Sequence, residues 1–198
     1  MAEKQQKKIV IGVSGASGAI YASRLIEILT KHVQPHAKIY LIVTKIAEEI
    51  ARHEGVSFPL SEPGICRYAP EQLFAPIASG SFVHDGMVII PCSMKTLSEV
   101  ATGHASGLMT RAADVCLKER RSLVLVLRET PLSRVHMTNM LAAHDAGAVI
   151  LPATPPFYMN PVSIEELIDT IVARVLDILH IEHNLTVRWN GDSKPSKK

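Results

Sequence analysis

The 198-residue chain has the length of one globular domain with a full core. Apolar residues make up 47% and charged residues 20%, and a formal net charge of +2 is too small to indicate binding to nucleic acid or to a membrane surface. No apolar run approaches the roughly 20 residues that cross a bilayer, and the polar start leaves no room for the apolar part of a signal peptide. With three cysteines and no Cys-x-x-Cys pair, the chain is predicted to be cytoplasmic.

The first predicted strand, residues 8–11, runs directly into a turn at 12–18 with the sequence GVSGASG. Apolar residues at helical spacing then predict a helix from Ala19 to Leu29. Glycines let the backbone approach an anion closely, and the free N–H groups at the start of a helix point at it. This arrangement is typical of a phosphate-binding site, although a tight turn without a ligand has the same pattern.

The same turn argues against two other kinds of site. A dinucleotide-binding turn has the spacing Gly-x-Gly-x-x-Gly and an acidic residue about 20 residues later, at the end of the second strand. Here the glycines are three apart, and the second predicted strand, 38–43, is followed by Thr44 and Lys45. The nucleophile motif Gly-x-Ser-x-Gly also fails, because Ala19 stands where its last glycine would be. A mononucleotide such as FMN is therefore favoured over NAD, and a serine hydrolase is disfavoured.

Strand and helix patterns alternate along the rest of the chain. Further strands are predicted at 87–90, 123–127 and 149–151, and Pro91 is expected to stop the first of these. Helices are predicted at 46–53, 93–101, 108–120 and 132–144, and a last one begins at Ser163 with Glu166 in the capping-box position. Residues 55–81, with four prolines, show no pattern that assigns their structure. We expect one domain over residues 1–191 and a disordered tail at 192–198.

The predicted strands are uniformly apolar and separated by helices. This indicates an α/β fold with a mainly parallel sheet covered by helices on both faces. Ligands of such sheets bind beyond the carboxyl ends of the strands. Small polar, cationic and acidic residues follow those ends, at 14–18, at Thr44, at 92–93, at 128–129 and from 152 onward. That edge of the sheet is therefore predicted to hold an anionic ligand.

Several longer motifs occur in order along nearly the whole chain: GASGA at 15–19, PCSMKTL at 91–97, TRAADVCLKER at 110–120, LRETPL at 127–132, PPFY at 155–158 and RWNG at 188–191. With these motifs the chain resembles the UbiX-type flavin prenyltransferases. The SMKT and RWNG segments are most similar to the branch named as the small subunit of phenolic-acid decarboxylases. The resemblance implies a Rossmann-like three-layer α/β/α flavoprotein.

The resemblance also implies a reaction. Reduced FMN is alkylated at N5 by dimethylallyl monophosphate and then closed onto C6, which makes the prenylated FMN used by UbiD-type decarboxylases. The family needs no metal, and the chain has no Asp-Asp-x-x-Asp cluster that would hold magnesium. Cationic side chains would then hold the leaving phosphate. Members form dodecamers built from trimers with sites between subunits, so a homo-oligomer is expected.

For the flavin, the resemblance implies contacts from two groups of residues: Gly15, Ala16 and Ser17, and Thr44, Ser93, Met94, Lys95, Thr96 and Arg128. Ser17 would lie near the reactive N5, and Glu129 would act as an acid/base near the leaving phosphate. Glu54 matches an active-site acid of the family. Ordinary structural roles are the alternatives, because Ser17 and Ser93 are good helix N-caps and residues 128–129 also fit a solvated surface pair, which is less favoured at the end of an apolar strand.

For the prenyl phosphate, the resemblance implies Arg111, Lys118, Tyr158 and Arg174, with Trp189 closing over the prenyl group of a neighbouring site. The first two residues are seven apart on one predicted helix, so both can point at one anion. The alternatives are solvated helix charges, a packed aromatic at Tyr158 and a C-terminal anchor at Trp189. Arg174 interrupts an apolar helix, where a cation usually has a partner.

Other residues are interpreted as having no part in the site. His180 and His183 lack a third metal ligand and are expected on a solvated face, as are Arg120 and Arg121. Cys92 is expected to be a small buried residue.

Two other functions fit parts of the sequence. One is an FMN-dependent cysteine decarboxylase, but that group carries Pro-Ala-Ser-Ala-Asn-Thr where residues 91–96 read PCSMKT, and we find no early catalytic histidine. The other is a flavin-binding protein that serves a decarboxylase without catalysis, which would not need the second phosphate site that Arg111, Lys118 and Glu129 indicate.

Overall fold

A single parallel sheet organises the part of the chain that the structure, a computed structural model, describes: residues 6–33, 35–186 and 188. Its strands lie in the order β3-β2-β1-β4-β5-β6. Their bounds are β1 Lys8–Val13, β2 Lys38–Val43, β3 Ile65–Tyr68, β4 Gly86–Cys92, β5 Leu123–Leu127 and β6 Val149–Pro152. The helices are α1 Ala19–Glu27, α2 Lys45–His53, α3 Met94–Thr102, α4 Leu108–Lys118, α5 Arg134–Asp145 and α6 Ile164–Ile178. The predicted Rossmann-like α/β fold is confirmed.

The two faces of the sheet carry separate apolar cores. In β1, Ile9 and Ile11 pack with α1 and α6 on one face, whereas Val10 packs with α3 and α4 on the other. This alternation is what a fully covered parallel strand requires, and it explains why the predicted strands are uniformly apolar. Among the described residues, no helix is long and apolar enough to cross a membrane.

The order of the strands in the sheet indicates where a ligand crevice is expected. The chain winds outward from β1 through β2 to β3 and then returns to β4 on the other side of β1. The carboxyl ends of β1 and β4 therefore flank the crevice where the winding direction reverses, and ligands of open α/β sheets bind at such a point.

Two local predictions need correction. Pro91 does not stop the third predicted strand, because β4 continues to Cys92 through a register shift against β5, and such irregularities tolerate a missing N–H. The first helix ends at Glu27 and continues as a π-helix, Ile28–His32, in which Thr30 Oγ1 donates to the Ile26 carbonyl at 2.8 Å.

The unassigned region 55–81 contains the edge strand β3 and a 3₁₀ turn, Pro76–Ala78. With only four residues, one of them an exposed arginine, β3 is recognisable by its pairing with β2 rather than by its pattern. The predicted tail 192–198 lies outside the described residues, and the assignment of residues 1–191 to one domain stays a prediction.

Candidate functional site

The turn after β1 does not leave the start of α1 free for a phosphate. Glu54, which follows α2, accepts the Gly18 N–H on Oε1 and the Ala19 N–H on Oε2, both at 2.8 Å. These are the donors that the phosphate-binding prediction assigned to a ligand. The prediction is wrong for this helix end because the protein's own carboxylate occupies the position of the anion.

Ser17 belongs to the same cluster. Gly18, in the left-handed region with φ 104°, is the N-cap of α1, so Ser17 does not cap the helix. The Ser17 hydroxyl donates to Glu54, and its carbonyl accepts from Arg128 Nε at 3.4 Å. Burial opposes ionisation of Glu54, but hydrogen bonds from Gly18, Ser17 and Ala19, with the charge of Arg128, hold the pKa of Glu54 below its ordinary value. Ser17, Glu54 and Arg128 thus form one hydrogen-bonded cluster at the carboxyl edge.

Replacing Glu54 with Gln should lower the free energy of unfolding by about 1 kcal/mol at neutral pH, the usual cost of losing a helix N-cap. Because folding lowers the pKa of Glu54, its contribution is present above the ordinary glutamate pKa and is lost as the pH falls through the lower native value. Denaturant unfolding at several pH values measures this difference. Glu49→Gln, an exposed acid on α2, is the control and should leave stability unchanged. A Glu54→Gln deficit that persists unchanged at acid pH would contradict the capping role.

The carboxyl ends of β1 and β4 are joined through Ser14, a buried residue for which the sequence suggested no separate role. Its hydroxyl donates to the Pro91 carbonyl at 3.0 Å and accepts the Ser93 N–H at 2.8 Å. Ser93 in turn caps α3 by accepting the Thr96 N–H at 3.3 Å. The N-cap alternative for Ser93 is therefore confirmed, and the cap brings its hydroxyl within 3.1 Å of Thr96 Oγ1.

Thr44 and Gly15 form the opposite wall of the crevice. Thr44 caps α2 by accepting the Ala47 N–H at 3.2 Å. A side chain on Gly15 would have its Cβ 2.6 Å from Cγ2 of the exposed Ile46, so a larger residue there requires the Ile46 side chain to move. Gly15 therefore lets the turn after β1 pack closely against the start of α2.

The donors at this edge fit a flavin mononucleotide. The first N–H groups of α3, at Met94 and Lys95, have no intrahelical acceptor, as at any helix start. Unlike the start of α1, this one is capped by a neutral serine hydroxyl, so it can accept a phosphate. The hydroxyls of Thr44 and Thr96 and the guanidinium of Arg128 supply the remaining polar contacts that such a ligand needs.

Arg128 and Glu129 follow β5 and contact different partners. Arg128 reaches Ser17, whereas Glu129 Oε1 accepts the N–H of Thr130 at 2.9 Å. Glu129 is exposed at the same edge of the sheet. Its carboxylate is thus available to a ligand that lies over the strand ends.

The cations predicted for the prenyl phosphate lie elsewhere in the same chain. Arg111 pairs with Asp114 at 2.7 Å and donates to the Ala78 carbonyl, and Lys118 pairs with Glu119 at 2.6 Å. Lys118 ends α4 just before β5 begins, so it lies at the amino edge of the sheet. The five residues of β5 separate that edge from Glu129 by roughly 16 Å. One chain alone therefore does not bring Lys118 and Glu129 into one site.

Of the remaining predicted ligands, Arg174 is on α6, which packs on the other face of the sheet. Arg174 has the acidic partner that its apolar surroundings predicted, because its NH1 group pairs with Asp177 at 3.0 Å. Tyr158 is exposed in the loop after β6, and Trp189 lies outside the described residues. Three acids that pair with the predicted cations were not identified from the sequence: Asp114, Glu119 and Asp177. Asp114 and Asp177 each stand three residues after a predicted cation. Side chains at this spacing lie together on a helix, so the spacing was a signal that could have identified both acids.

Two residues expected on solvated faces are structural. Arg121 donates to the carbonyls of Phe82 and Gly80 at 2.7 and 2.6 Å, which holds the loop before β4. His183 has a side chain only 3% exposed and pairs with Asp177. Cys92 is buried as predicted, and burial raises the pKa of its thiol. Among the described residues, no group of three His, Cys, Asp or Glu side chains is arranged to hold a metal ion.

Comparison with known proteins identifies the family of the chain. Residues 1–185 match the flavoprotein family. The flavin prenyltransferase UbiX of Methanothermobacter thermautotrophicus is 47% identical over 93% of this chain and 96% of its own length. The flavin prenyltransferase LpdB of Lactiplantibacillus plantarum is 42% identical over 94% of this chain and its full length.

Solved structures of similar proteins have the same fold. A crystal structure of AnUbiX in complex with FMN and dimethylallyl pyrophosphate superposes with a TM-score of 0.87 at 40% identity, covering 94% of this chain and 99% of that one. A dodecameric FMN-dependent UbiX-like decarboxylase from Escherichia coli superposes with a TM-score of 0.85, also at 40% identity, covering 93% of this chain and all of that one. The cysteine decarboxylase SpaF, 18% identical with a TM-score of 0.54, shares the fold alone. The chain therefore belongs to the flavoprotein family and, within it, to the UbiX-type flavin prenyltransferases.

Proposed function

We propose that this protein transfers a dimethylallyl group from dimethylallyl monophosphate to reduced FMN, forming bonds at N5 and then C6 and releasing phosphate. The observation that carries the proposal is the superposition with a UbiX protein that holds both FMN and a dimethylallyl phosphate ester. The flavin supplies the nucleophilic nitrogen and carbon. The protein's part is to hold the two substrates, exclude water and move protons.

The flavin is assigned to the crevice between the ends of β1, β2 and β4. Gly15, Ala16 and Ser17 would contact its ring system, and the start of α3 with Thr44 would hold its phosphate. Support comes from the close packing of Gly15 against Ile46 at the start of α2 and from the neutral cap of α3. Because Glu54 is held ionised and accepts a hydrogen bond from Ser17, the Ser17 hydroxyl is oriented by an anion.

The phosphate of the prenyl donor needs cations that one chain does not bring to this crevice. Arg111 and Lys118 lie against the loop at 78–80, toward the amino edge of the sheet. A second copy placing its α4 against the carboxyl edge of the first would complete the site. The dodecameric relative from Escherichia coli supports such an assembly, and we propose a dodecamer here.

Mass spectrometry of extracted flavin tests the proposal. The protein loaded with FMN, reduced under anaerobic conditions and incubated with dimethylallyl monophosphate should yield flavin heavier by one five-carbon prenyl unit. A parallel incubation with the pyrophosphate, the donor bound in the AnUbiX structure, tests how strictly the donor is chosen. Unmodified flavin from folded, FMN-loaded protein in both incubations would reject the prenyltransferase assignment.

Prenylation is also expected to survive exhaustive chelation. Arginine and lysine side chains are proposed to balance the charge of the leaving phosphate, so no divalent ion is needed. Product formation should be equal with and without EDTA over the same incubation. A loss that added Mg²⁺ alone restores would contradict this assignment of the phosphate-binding groups.

The product is proposed to serve a UbiD-type decarboxylase in the cytoplasm. Relatives at 40–47% identity are named flavin prenyltransferases, which favours prenyl transfer over cysteine decarboxylation. The similarity to the cysteine decarboxylase SpaF is limited to the fold. A flavin carrier without catalysis would bind FMN but leave its mass unchanged, so the same mass measurement separates that alternative.

A further inference from the structure

Asp177, near the end of α6, is the acceptor for three basic side chains. Its Oδ2 accepts from Arg174 NH1 at 3.0 Å. Its Oδ1 accepts from Arg188 NH2 at 2.8 Å and from His183 Nε2 at 3.2 Å. A carboxylate has about four acceptor positions, so these contacts use most of its capacity. With its side chain 21% exposed, Asp177 is the shared partner of groups from α6 and from the segment that follows it.

The first of these partners is a proposed ligand of the prenyl phosphate. Arg174 has a 63% exposed side chain on an otherwise buried stretch of α6. A long exposed side chain loses rotamer freedom when it binds an anion, which weakens binding. The contact with Asp177, one helical turn away, restricts Arg174 before any ligand arrives. Asp177 therefore sets where the guanidinium is presented.

The other two partners lie in the segment after α6. Residues 181–186 and 188 form neither helix nor strand, and a cavity of about 670 Å³ lies between this segment and the end of α1. The segment is anchored to the apolar core by the buried Ile181 and the partly buried Leu185. Beyond Leu185, the contact of Arg188 with Asp177 holds the backbone to α6. Arg188 immediately precedes Trp189, the residue predicted to close over a prenyl group.

We propose that Asp177 is a positioning residue for the prenyl donor, orienting Arg174 and anchoring the segment that ends at Arg188 through one carboxylate. This rests on the proposed function, since Arg174 is taken as a ligand of the donor's phosphate. Burial opposes ionisation of Asp177, but hydrogen bonds from Arg188 and His183 lower the pKa of Asp177, so the carboxylate is charged at neutral pH. Replacing the carboxylate with an amide would place an NH₂ group against the basic side chains. Arg174 and the segment that ends at Arg188 would then both lose their acceptor.

The Asp177→Asn variant tests the proposal. Its KM for dimethylallyl monophosphate should rise about 10-fold, the scale of one lost charge-assisted contact. The kcat per bound FMN should change by less than about 2-fold, because Asp177 touches no reacting atom. FMN affinity should be unchanged, and Asp177→Glu, which keeps the charge, should recover part of the loss. A second variant, Arg188→Gln, should raise KM as well, and the double variant should be no worse than Asp177→Asn alone.

Asp169→Asn is the matched control. It removes a second carboxylate of α6 that pairs with an arginine, Arg24 on α1, at 2.7 Å. It should reduce stability without raising KM for the donor. An equal rise in KM in this control would overturn the proposal, as would an unchanged KM in Asp177→Asn and Arg188→Gln.

Calorimetric titration of the FMN-loaded protein with dimethylallyl monophosphate separates this inference from the proposed function. Donor binding that weakens in Asp177→Asn supports the positioning role even where wild-type protein makes no prenylated flavin, an outcome that rejects the function alone. Prenylation by wild type with equal donor affinity in both proteins overturns the positioning role alone. Absence of donor binding to wild type overturns both.

Discussion

Replacing Glu129 with Gln should reduce the rate of flavin prenylation by about 100-fold or more while leaving FMN binding intact. Glutamine keeps the size of the side chain and removes its ability to exchange a proton, and general acid–base catalysis contributes on this scale. The carboxylate is exposed at the carboxyl edge, and its hydrogen bond from the Thr130 N–H can be kept by the glutamine oxygen. Stopped-flow or single-turnover measurement of prenylation at saturating donor reports the rate, and flavin fluorescence titration reports the affinity.

Glu165→Gln, a mostly exposed acid in the first turn of α6, serves as the control and should leave the rate unchanged. A Glu129→Gln protein that loses FMN but turns over normally for each flavin bound would show that Glu129 is structural. Wild-type rates in fully loaded Glu129→Gln protein would place the acid/base function on another group.

Replacing Lys118 with Ala should weaken donor binding by about 10- to 100-fold, because it removes a cation from a site meant for a dianion, and a hydrogen bond to a charged group contributes about 1.5–3 kcal/mol. FMN affinity should be unchanged, since Lys118 is assigned to the phosphate of the prenyl donor and not to the flavin. The KM for dimethylallyl monophosphate, measured with FMN-loaded protein, gives the effect.

Lys31→Ala is a matched control. Lys31 is 45% exposed and pairs with Glu62 at 3.0 Å, whereas Lys118 is 46% exposed and pairs with Glu119 at 2.6 Å. A similar rise in KM in both variants would mean that general charge, rather than a located cation, attracts the donor. If Lys118→Ala acts through a neighbouring protomer, mixing it with Glu129→Gln protein under reassociating conditions should restore activity at some sites.

Local sequence determined most of the secondary structure, and it predicted the edge of the sheet to which we assign the site. Runs of branched aliphatic residues predicted β1, β2, β4, β5 and β6, because strands buried on both faces admit little else. Helix starts such as Ser163 were readable since a side-chain cap is a contact between residues three apart. The edge strand β3 was not, because its short, half-exposed sequence becomes a strand only by pairing with β2.

Tertiary structure decided which of several chemically similar groups act together. The glycine turn predicted a phosphate at the start of α1. Glu54, 36 residues away from Gly18, occupies that helix start instead. We therefore assign the phosphate to the start of α3. The seven-residue spacing of Arg111 and Lys118 predicted one shared anion, whereas the fold gives each its own acid. Nothing in the sequence indicated Asp177 apart from its spacing from Arg174, because its contacts with His183 and Arg188 form only where the chain folds back after α6. Spacing along a chain determines local contacts, while a charge's partner depends on distances that only the folded backbone sets.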